Sequence, residues 1–320
     1  MILAEQPVIV VAGPTVSGKS HLALAVAHKF RGTIVNADSM QVYRDLRVLT
    51  ARPSDDEMAS VPHRLYGAID AAESCSAGRW RNLALIEIAQ ARHAGRLPIL
   101  VGGTGLYLSA LLDGIAEIPA VPAAIVAEAR ALHARLGGES FRRALAALDP
   151  VAAAKLPAAD TQRLVRAYAV ARVTGVALSE WQQRQVPHHG PAAAVVLLLP
   201  QRTALNAAID RRLERMFDGG AIDEVRVLLA RQLSQLLPAM KAVGVREIGR
   251  YLAGEGSRQE ALAAAQQATR RYAKRQYTWF RHRPSASKKL CRLVIETQFS
   301  ESFQHEIFSF IRRFLLTESN

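Results

Sequence analysis

The segment Gly13–Ser20 has the residue types and spacing of a phosphate-binding loop, and is named the phosphate loop below. It reads Gly-Pro-Thr-Val-Ser-Gly-Lys-Ser, which is the full Walker A pattern. Glycines let backbone N–H groups turn inward around phosphate oxygens, Lys19 supplies a positive charge, and the Ser20 hydroxyl is a ligand for Mg²⁺. The predicted phosphate-binding residues are Gly13, Pro14, Thr15, Val16, Ser17, Gly18, Lys19 and Ser20. The pattern leaves open which phosphate compound binds, because a diphosphate ester presents the same oxygens as the tail of a nucleotide.

A carboxylate, Asp38, is the leading candidate for a general base. It directly follows the predicted strand Thr33–Ala37, whereas the later apolar run Leu97–Val101 is followed by two glycines. A nucleoside triphosphatase normally carries a Walker B carboxylate after such a strand, so the usual residues for nucleotide hydrolysis are incomplete here. Asp38 also fits a turn-forming or helix-capping aspartate, and its position alone leaves both interpretations open.

The elements that must position these residues are predicted from hydrophobic patterning. Three short, mostly apolar runs predict strands, namely Pro7–Ala12, Thr33–Ala37 and Leu97–Val101, and Lys19–Phe30 predicts the helix after the phosphate loop. Strands that alternate with helices predict an α/β fold with a parallel sheet. Ligands gather at the carboxyl ends of such strands, so the loops that follow the three strands are expected to meet at one edge.

The middle of the chain is expected to be a helical insertion. Between Pro119 and Gln185 the composition changes to Ala, Leu, Arg and Glu with helical periodicity and without a convincing strand. Strand character returns at Ala192–Leu199, and helices are expected in Asn206–Gln232 and Gln259–Arg281. The predicted organisation is a P-loop NTPase-like core in two parts, residues 1–118 and 189–284, a helical insertion at 119–188, and a C-terminal tail at 285–320.

Charge and composition indicate the class of partner. The formal net charge is +13, from 41 basic and 28 acidic residues, and the isoelectric point is near 10.3. This balance favours a polyanionic partner, although a basic surface also keeps proteins in solution. No apolar run is long enough to span a bilayer, and Cys75 and Cys291 form no disulfide or zinc pattern. We therefore expect a cytoplasmic protein that enters no membrane and, without a visible dimer signature, a monomer.

A set of short motifs in this order resembles the bacterial tRNA dimethylallyltransferases. The motifs are Gly13–Ser20, Asp38–Arg44, Pro62–His63, Gly102–Tyr107, Asp160–Ala167, Thr174–Gly175, Arg212 with Met216 and Gly219, Val243–Gly244, Arg246–Glu247 and Ala273–Arg281. The resemblance covers about residues 8–283. It implies transfer of a dimethylallyl group from dimethylallyl diphosphate to N6 of adenine 37, next to the anticodon of tRNAs that read codons beginning with U. Diphosphate is released, and Mg²⁺ is the implied cofactor.

The resemblance also implies roles for individual residues. The phosphate loop holds the diphosphate with help from Arg212, Asp38 takes a proton from the target amine, and Thr104 contacts the tRNA. Without the family, Thr104 also fits a hydroxyl that caps the next helix. The residues expected to contact tRNA are Asp38, Ser39, Met40, Gln41, Thr104, Gln162, Arg163, Leu164, Val165, Arg166, Lys241, Gly244, Arg246, Lys274 and Arg275.

A basic segment with interleaved aromatic residues is expected to line a path for nucleic acid. Its members are Arg270, Arg271, Lys274, Arg275, Arg281 and Arg283, with Tyr272, Tyr277, Trp279 and Phe280. A solvated helix with an aromatic core face is the alternative interpretation. For the whole chain the main alternative is a P-loop small-molecule kinase, which does not need this segment. A non-catalytic RNA-binding protein is a third interpretation, and it leaves the complete phosphate loop unexplained.

Overall fold

The computed structural model describes residues 7–184, 190–282 and 290–318. The strands are β1 (Val8–Ala12), β2 (Gly32–Asn36), β3 (His63–Arg64), β4 (Leu97–Gly102), β5 (Ala193–Leu198) and β6 (Leu290–Ile295). The helices are α1 (Lys19–Lys29), α2 (Asp55–Ser60), α3 (Ala77–His93), α4 (Gly105–Leu112), α5 (Ala123–Ala146), α6 (Pro150–Lys155), α7 (Thr161–Thr174), α8 (Leu178–Gln183), α9 (Arg202–Asp218), α10 (Ala221–Ala230), α11 (Val245–Leu252), α12 (Arg258–His282) and α13 (Gln304–Glu318). None of the described helices is both long and apolar enough to cross a membrane.

The strands form one parallel sheet in the order β3-β2-β4-β1-β5-β6. This order places β1, which precedes the phosphate loop, between β4 and β5, with Ile9 opposite both Ile99 and Ala194. Every residue of β1 and β2 is buried, as in parallel sheets that are covered on both faces. The predicted α/β core with a parallel sheet is therefore confirmed.

The chain divides into two compact units. The first contains the described residues up to Leu112 and from Gly190 onward, and the second contains the described residues between Asp113 and His189. The second unit consists of α5 to α8 among its described residues, with a core that includes Phe141. The segment predicted as a helical insertion, residues 119–188, lies within this second unit.

The segment predicted as a C-terminal tail, residues 285–320, contributes a strand and a helix to the first unit. Strand β6 pairs in parallel with β5, and α13 buries Ile307, Ile311 and Phe314 in the same core cluster as β5. Strand β6 lies at the edge of the sheet, and most of its side chains are exposed or only partly buried. The continuous apolar run that marks a central strand is therefore absent from it.

Candidate active site

The phosphate loop joins β1 to α1 and forms one wall of a cavity of about 490 Å³, named the phosphate cavity here. Gly18 adopts a left-handed conformation, with φ of 89°, at the start of α1, and no side chain caps that helix. Uncapped N–H groups at the start of a helix attract anions. Each residue from Thr15 to His21 lines the cavity, which places the loop in position to hold a phosphate group.

The phosphate cavity carries an excess of positive charge. Its cationic side chains are Lys19, Arg52, Arg211, Arg212 and Arg215, and its carboxylates are Asp38 and Glu57. An excess of one sign of charge in a cleft focuses the electrostatic field and raises the local concentration of oppositely charged ligands. The cavity therefore suits a compact, multiply charged anion such as a diphosphate.

Two of these cations are desolvated. Burial lowers the pKa of Lys19 from its ordinary value of 10.5 to about 8, an effect that Asp38 opposes and Arg212 reinforces. Burial also lowers the pKa of Arg212, to about 10, and Asp38 again opposes the change. The ammonium of Lys19 lies 3.3 Å from the carbonyl oxygen of Pro14. Two desolvated cations beside a single carboxylate leave positive charge that a bound anion would neutralise.

Asp38 follows β2 and is held by the buried side chain of Asn36. The Asp38 N–H donates to Asn36 Oδ1 at 2.9 Å, and Asn36 Nδ2 donates to the Asp38 carbonyl at 3.0 Å. One carboxylate oxygen, Oδ1, accepts the Met40 N–H at 2.9 Å, so Asp38 does form a turn. No described residue donates a hydrogen bond to Oδ2, and this oxygen can accept a proton from a substrate without breaking the turn. The turn-forming and general-base interpretations are therefore compatible.

Thr104 connects the end of β4 to the segment that follows Asp38. Its Oγ1 accepts the Ser39 N–H at 2.9 Å and lies 3.2 Å from Ser39 Oγ. It also shares a hydrogen bond with Tyr272, whose pKa is raised by burial and by the charge of Asp38. The Thr104 hydroxyl therefore ties three segments together instead of serving as a cap for α4.

A second cavity, of about 220 Å³, shares Thr15, Asp38, Thr50 and Arg212 with the phosphate cavity. At this junction Arg212 Nη2 donates to Thr15 Oγ1 at 2.6 Å. The remaining lining residues are Ser39, Met40, Leu49, Leu213, Lys241, Ala242, Val243, Thr269, Tyr272 and Arg275. This cavity, named the Tyr272 cavity, mixes apolar and hydroxyl side chains with a few cations. Such a lining suits an aromatic base or a hydrocarbon group better than a second polyanion.

Gln276 is a site residue that the sequence did not single out. Its side chain is buried, with Oε1 accepting the Thr15 N–H at 2.9 Å and Nε2 donating to the Gly103 carbonyl at 2.9 Å. A Cβ on residue 103 would lie 2.2 Å from Nε2, so the close approach of α12 requires glycine there. A signal was present in the sequence, because Gln276 follows Thr269 and Ala273 on the buried stripe of α12. A buried amide at such a position needs hydrogen-bond partners.

The other first-unit residues expected to contact tRNA differ in placement. Those that line the Tyr272 cavity are Ser39, Met40, Lys241 and Arg275. Gln41 lines the phosphate cavity, and its amide donates to the carbonyls of Thr50 and Ala51, each at 2.9 Å. Gly244 is buried at the start of α11, and Arg246 is exposed on that helix. The Gln41 amide therefore holds the neighbouring loop, while Arg246 is exposed and lines neither cavity.

A third cavity, of about 370 Å³, lies between α9 and α12 and is named the α9–α12 groove. Its exposed cations are Arg202, Arg271 and Lys274. Arg270 also lines the groove but is paired with Asp210 at 2.5 Å. Arg283, the last member of the basic segment, lies outside the described residues. The groove therefore presents solvated positive charge, as expected of either a nucleic-acid path or an exposed helix face.

In the second unit, the segment expected to contact tRNA divides by burial. Gln162, Arg163 and Arg166 are exposed on α7. Leu164 and Val165 are instead buried in the core of that unit. Their side chains stabilise the second unit, so within this segment the side chains presented to a partner are those of the three polar residues.

The residues of the phosphate cavity fit a magnesium ion that would be coordinated mainly by diphosphate oxygens and water. Ser20 is exposed at the start of α1 and lines the cavity. Mg²⁺ usually keeps several waters and binds through few protein oxygens together with substrate phosphates. The Ser20 hydroxyl, diphosphate oxygens and water would together supply such a donor set. Ser20 is therefore the protein residue that would hold the ion.

The chain matches the family model described as IPP transferase over residues 41–283. It is 51% identical over 313 residues to the tRNA dimethylallyltransferase of Rhodospirillum rubrum, with 97% of this chain and 96% of that protein covered. It is 48% identical over 320 residues to the tRNA dimethylallyltransferase of Paramagnetospirillum magneticum, with 99% of each chain covered.

Solved structures give the same result. The full-length tRNA isopentenylpyrophosphate transferase from Bacillus halodurans matches with a TM-score of 0.69 and 30% sequence identity, and 98% of each chain is covered. A eukaryotic dimethylallyltransferase acting on tRNA matches with a TM-score of 0.81 and 25% identity, covering 96% of this chain and 80% of that one. On the extent of these matches, the chain belongs to the IPP transferase family.

Proposed function

We propose that this protein transfers a dimethylallyl group from dimethylallyl diphosphate to N6 of adenine 37 in tRNAs that read codons beginning with U. The observation that carries the proposal is the junction of the two cavities at Thr15, Asp38 and Arg212. One cavity suits a diphosphate and the other suits a base, so their junction is where a group would pass between them. The relatives and solved structures named above are tRNA-modifying transferases, which supports the same class of reaction for this chain.

On the donor side, the diphosphate would lie along the phosphate loop. Lys19 and Arg212 would neutralise the negative charge that develops as the bond between the allylic carbon and oxygen breaks. Mg²⁺, when bound by Ser20 and the diphosphate, would supply further neutralisation of the leaving group. Because Arg212 also donates to Thr15, its guanidinium is already oriented toward the loop before a ligand arrives.

On the acceptor side, the adenine amine would approach through the Tyr272 cavity. The new bond forms between N6 and the allylic carbon while the carbon–oxygen bond to diphosphate breaks, and Asp38 Oδ2 accepts the proton that N6 loses. Thr104 and Tyr272 would position the base beside Asp38. A base that reaches this depth must leave its stack in the RNA.

The RNA would be held by exposed residues around these cavities and on the second unit. The proposed contacts are Gln162, Arg163, Arg166, Lys241, Arg246, Arg275 and Lys274, the last with the other exposed cations of the α9–α12 groove. Their charge agrees with the net charge of +13, because neutralising RNA phosphates releases counterions. We further propose that the protein is cytoplasmic and acts as a monomer. Sedimentation of the purified protein would test the monomeric state.

The deciding experiment incubates the protein with dimethylallyl diphosphate or ATP, each with and without an unmodified tRNA anticodon stem-loop. We expect prenylated adenosine only when dimethylallyl diphosphate and RNA are both present. Phosphate transfer from ATP in the absence of RNA would reject the proposal in favour of a small-molecule kinase, an alternative that none of the relatives named above supports. RNA binding without any product would indicate a non-catalytic RNA-binding protein.

A further inference from the structure

We propose that Gln298 and Phe299, which follow β6, position the phosphate loop for diphosphate binding. Both residues line the phosphate cavity. They lie beyond the region that matches the family model, residues 41–283. The inference rests on the proposed binding of a diphosphate by the phosphate loop.

The first support is the hydrogen bonding of the outer side of the loop. A loop that turns consecutive N–H groups toward an anion turns carbonyl oxygens away from it, and those oxygens need donors of their own. Gln298 Nε2 lies 3.4 Å from the Val16 carbonyl, and the Phe299 N–H lies 3.5 Å from the Ser17 carbonyl. Both bonds are long, so each is weak alone. They act on neighbouring residues and hold the same stretch of loop.

The second support is the backbone of Val16, which has φ of 66°. A β-branched residue in the left-handed region is strained, and such a conformation persists only where the surrounding structure holds it. Gln298 bonds the carbonyl of Val16 itself. The C-terminal segment is therefore placed to maintain the conformation that directs the neighbouring N–H groups.

The third support is the packing of Phe299 against Gly18. A Cβ on residue 18 would lie 3.0 Å from Phe299 Cβ, so the two backbones approach closely. Phe299 also packs against the buried core cluster that contains Ile295 and Ile307. Because Ile295 ends β6 and Ile307 belongs to α13, the segment is fixed at both ends. The loop thus rests on a part of the fold that does not depend on the ligand.

The test compares Gln298→Met, Phe299→Ala and the double variant with Phe303→Ala as the matched control. Phe303 lies in the same segment and packs against the same core cluster, and it is not among the residues that line the phosphate cavity. Calorimetric titration with inorganic diphosphate and Mg²⁺ measures the Kd, and steady-state kinetics give KM and kcat for dimethylallyl diphosphate. Thermal unfolding checks that each variant is folded.

We expect each single variant to raise the Kd for diphosphate and the KM for dimethylallyl diphosphate about three- to tenfold. Gln298→Met removes the hydrogen bond to the Val16 carbonyl, whereas Phe299→Ala keeps its backbone N–H and Cβ but removes the ring that fixes the segment to the core cluster. The double variant should raise both the Kd and the KM further, while kcat and stem-loop affinity stay close to those of the unaltered protein. Phe303→Ala should leave diphosphate affinity unchanged.

A rescue experiment separates positioning from direct contact. Val16→Gly, introduced into the double variant, should restore most of the diphosphate affinity, because glycine adopts a positive φ without strain. Failure of this rescue, or equal diphosphate affinity in the double variant and the unaltered protein, overturns the inference while the proposed function stands. If the unaltered protein binds neither inorganic diphosphate nor dimethylallyl diphosphate, the proposed function falls and the inference falls with it.

Discussion

Positive charge occurs in two regions of the first unit that differ in burial. In the phosphate cavity, burial lowers the pKa values of Lys19 and Arg212. In the α9–α12 groove, Arg271 and Lys274 are exposed. The protonation state of a desolvated side chain depends on neighbouring charges, including those of a bound ligand, and on pH. The interactions of exposed charges are instead screened by salt. The difference indicates that the partly buried cations Lys19 and Arg212 recognise a particular ligand and that the exposed cations attract polyanions in general.

The largest expected effect is at Asp38, the carboxylate that offsets the partly buried cations. Asp38→Asn keeps an oxygen that can accept the Met40 N–H but removes the proposed base. We expect the single-turnover rate of prenyl transfer to fall by about 10² to 10⁴, the usual range for general-base catalysis. Diphosphate and stem-loop affinities should stay within about tenfold. An unchanged single-turnover rate combined with lost RNA affinity would make Asp38 a binding residue.

The next effect concerns the geometry of the partly buried cations. Lys19→Ala and Arg212→Ala should each lower kcat/KM for dimethylallyl diphosphate by about 10² to 10³, as for removal of a preorganised donor in an active site. Arg212→Lys should also be defective, because a point charge cannot reproduce a forked guanidinium. The same change at the exposed neighbour, Arg211→Lys, should lower kcat/KM for dimethylallyl diphosphate less. Equal losses at the two arginines would contradict the distinction between partly buried and exposed charge.

The pH dependence of donor binding sharpens the same comparison. Lys19 has a pKa of about 8, lowered from its ordinary value, so in the free protein it loses its proton as pH rises through 8. Affinity for dimethylallyl diphosphate should therefore fall above pH 8, approaching about tenfold per pH unit. The ligand's own charge is constant in this range, since a terminal phosphate ionises at about pH 6. Calorimetry from pH 7 to pH 9 measures the trend, and Lys19→Ala should abolish it.

The smallest effects are expected in the response of RNA binding to salt. Stem-loop affinity should fall as salt rises, and neutralising Lys274 and Arg275 together should flatten the logarithmic slope by about 1.4 to 1.8, which corresponds to two phosphate contacts. Thr104→Val removes a hydroxyl and no charge, so the salt slope should be unchanged. Only the stem-loop affinity or the rate of prenyl transfer should fall, because the hydroxyl acts near the target base. These slopes are measured by a salt titration of stem-loop binding for the unaltered protein, the double variant and Thr104→Val. An unchanged slope in the double variant would shift the RNA path to Arg163 and Arg166.

The hydrophobic pattern of the sequence was sufficient to predict the central strands and insufficient to predict the strands at the edges of the sheet. Strands β1, β2 and β4 are almost entirely buried, so their sequences are largely apolar, with Thr33 and Asn36 in β2 as buried polar exceptions. Strand β3 has two residues, and β6 is mostly exposed or partly buried, so neither carries a continuous apolar run. Their pairing depends on backbone hydrogen bonds to neighbours, which side-chain patterning does not report.

The sequence by itself determined the phosphate loop and the position of Asp38. Both depend on short spacings, a strand followed by a loop and a helix in one case and a strand end in the other. Only the tertiary structure decided which distant groups complete the site. Thr15 receives Arg212 from 197 positions away and Gln276 from 261 positions away. Hydrogen bonds over such separations depend on the tertiary packing of α9 and α12, which contact each other, and no local spacing encodes that packing.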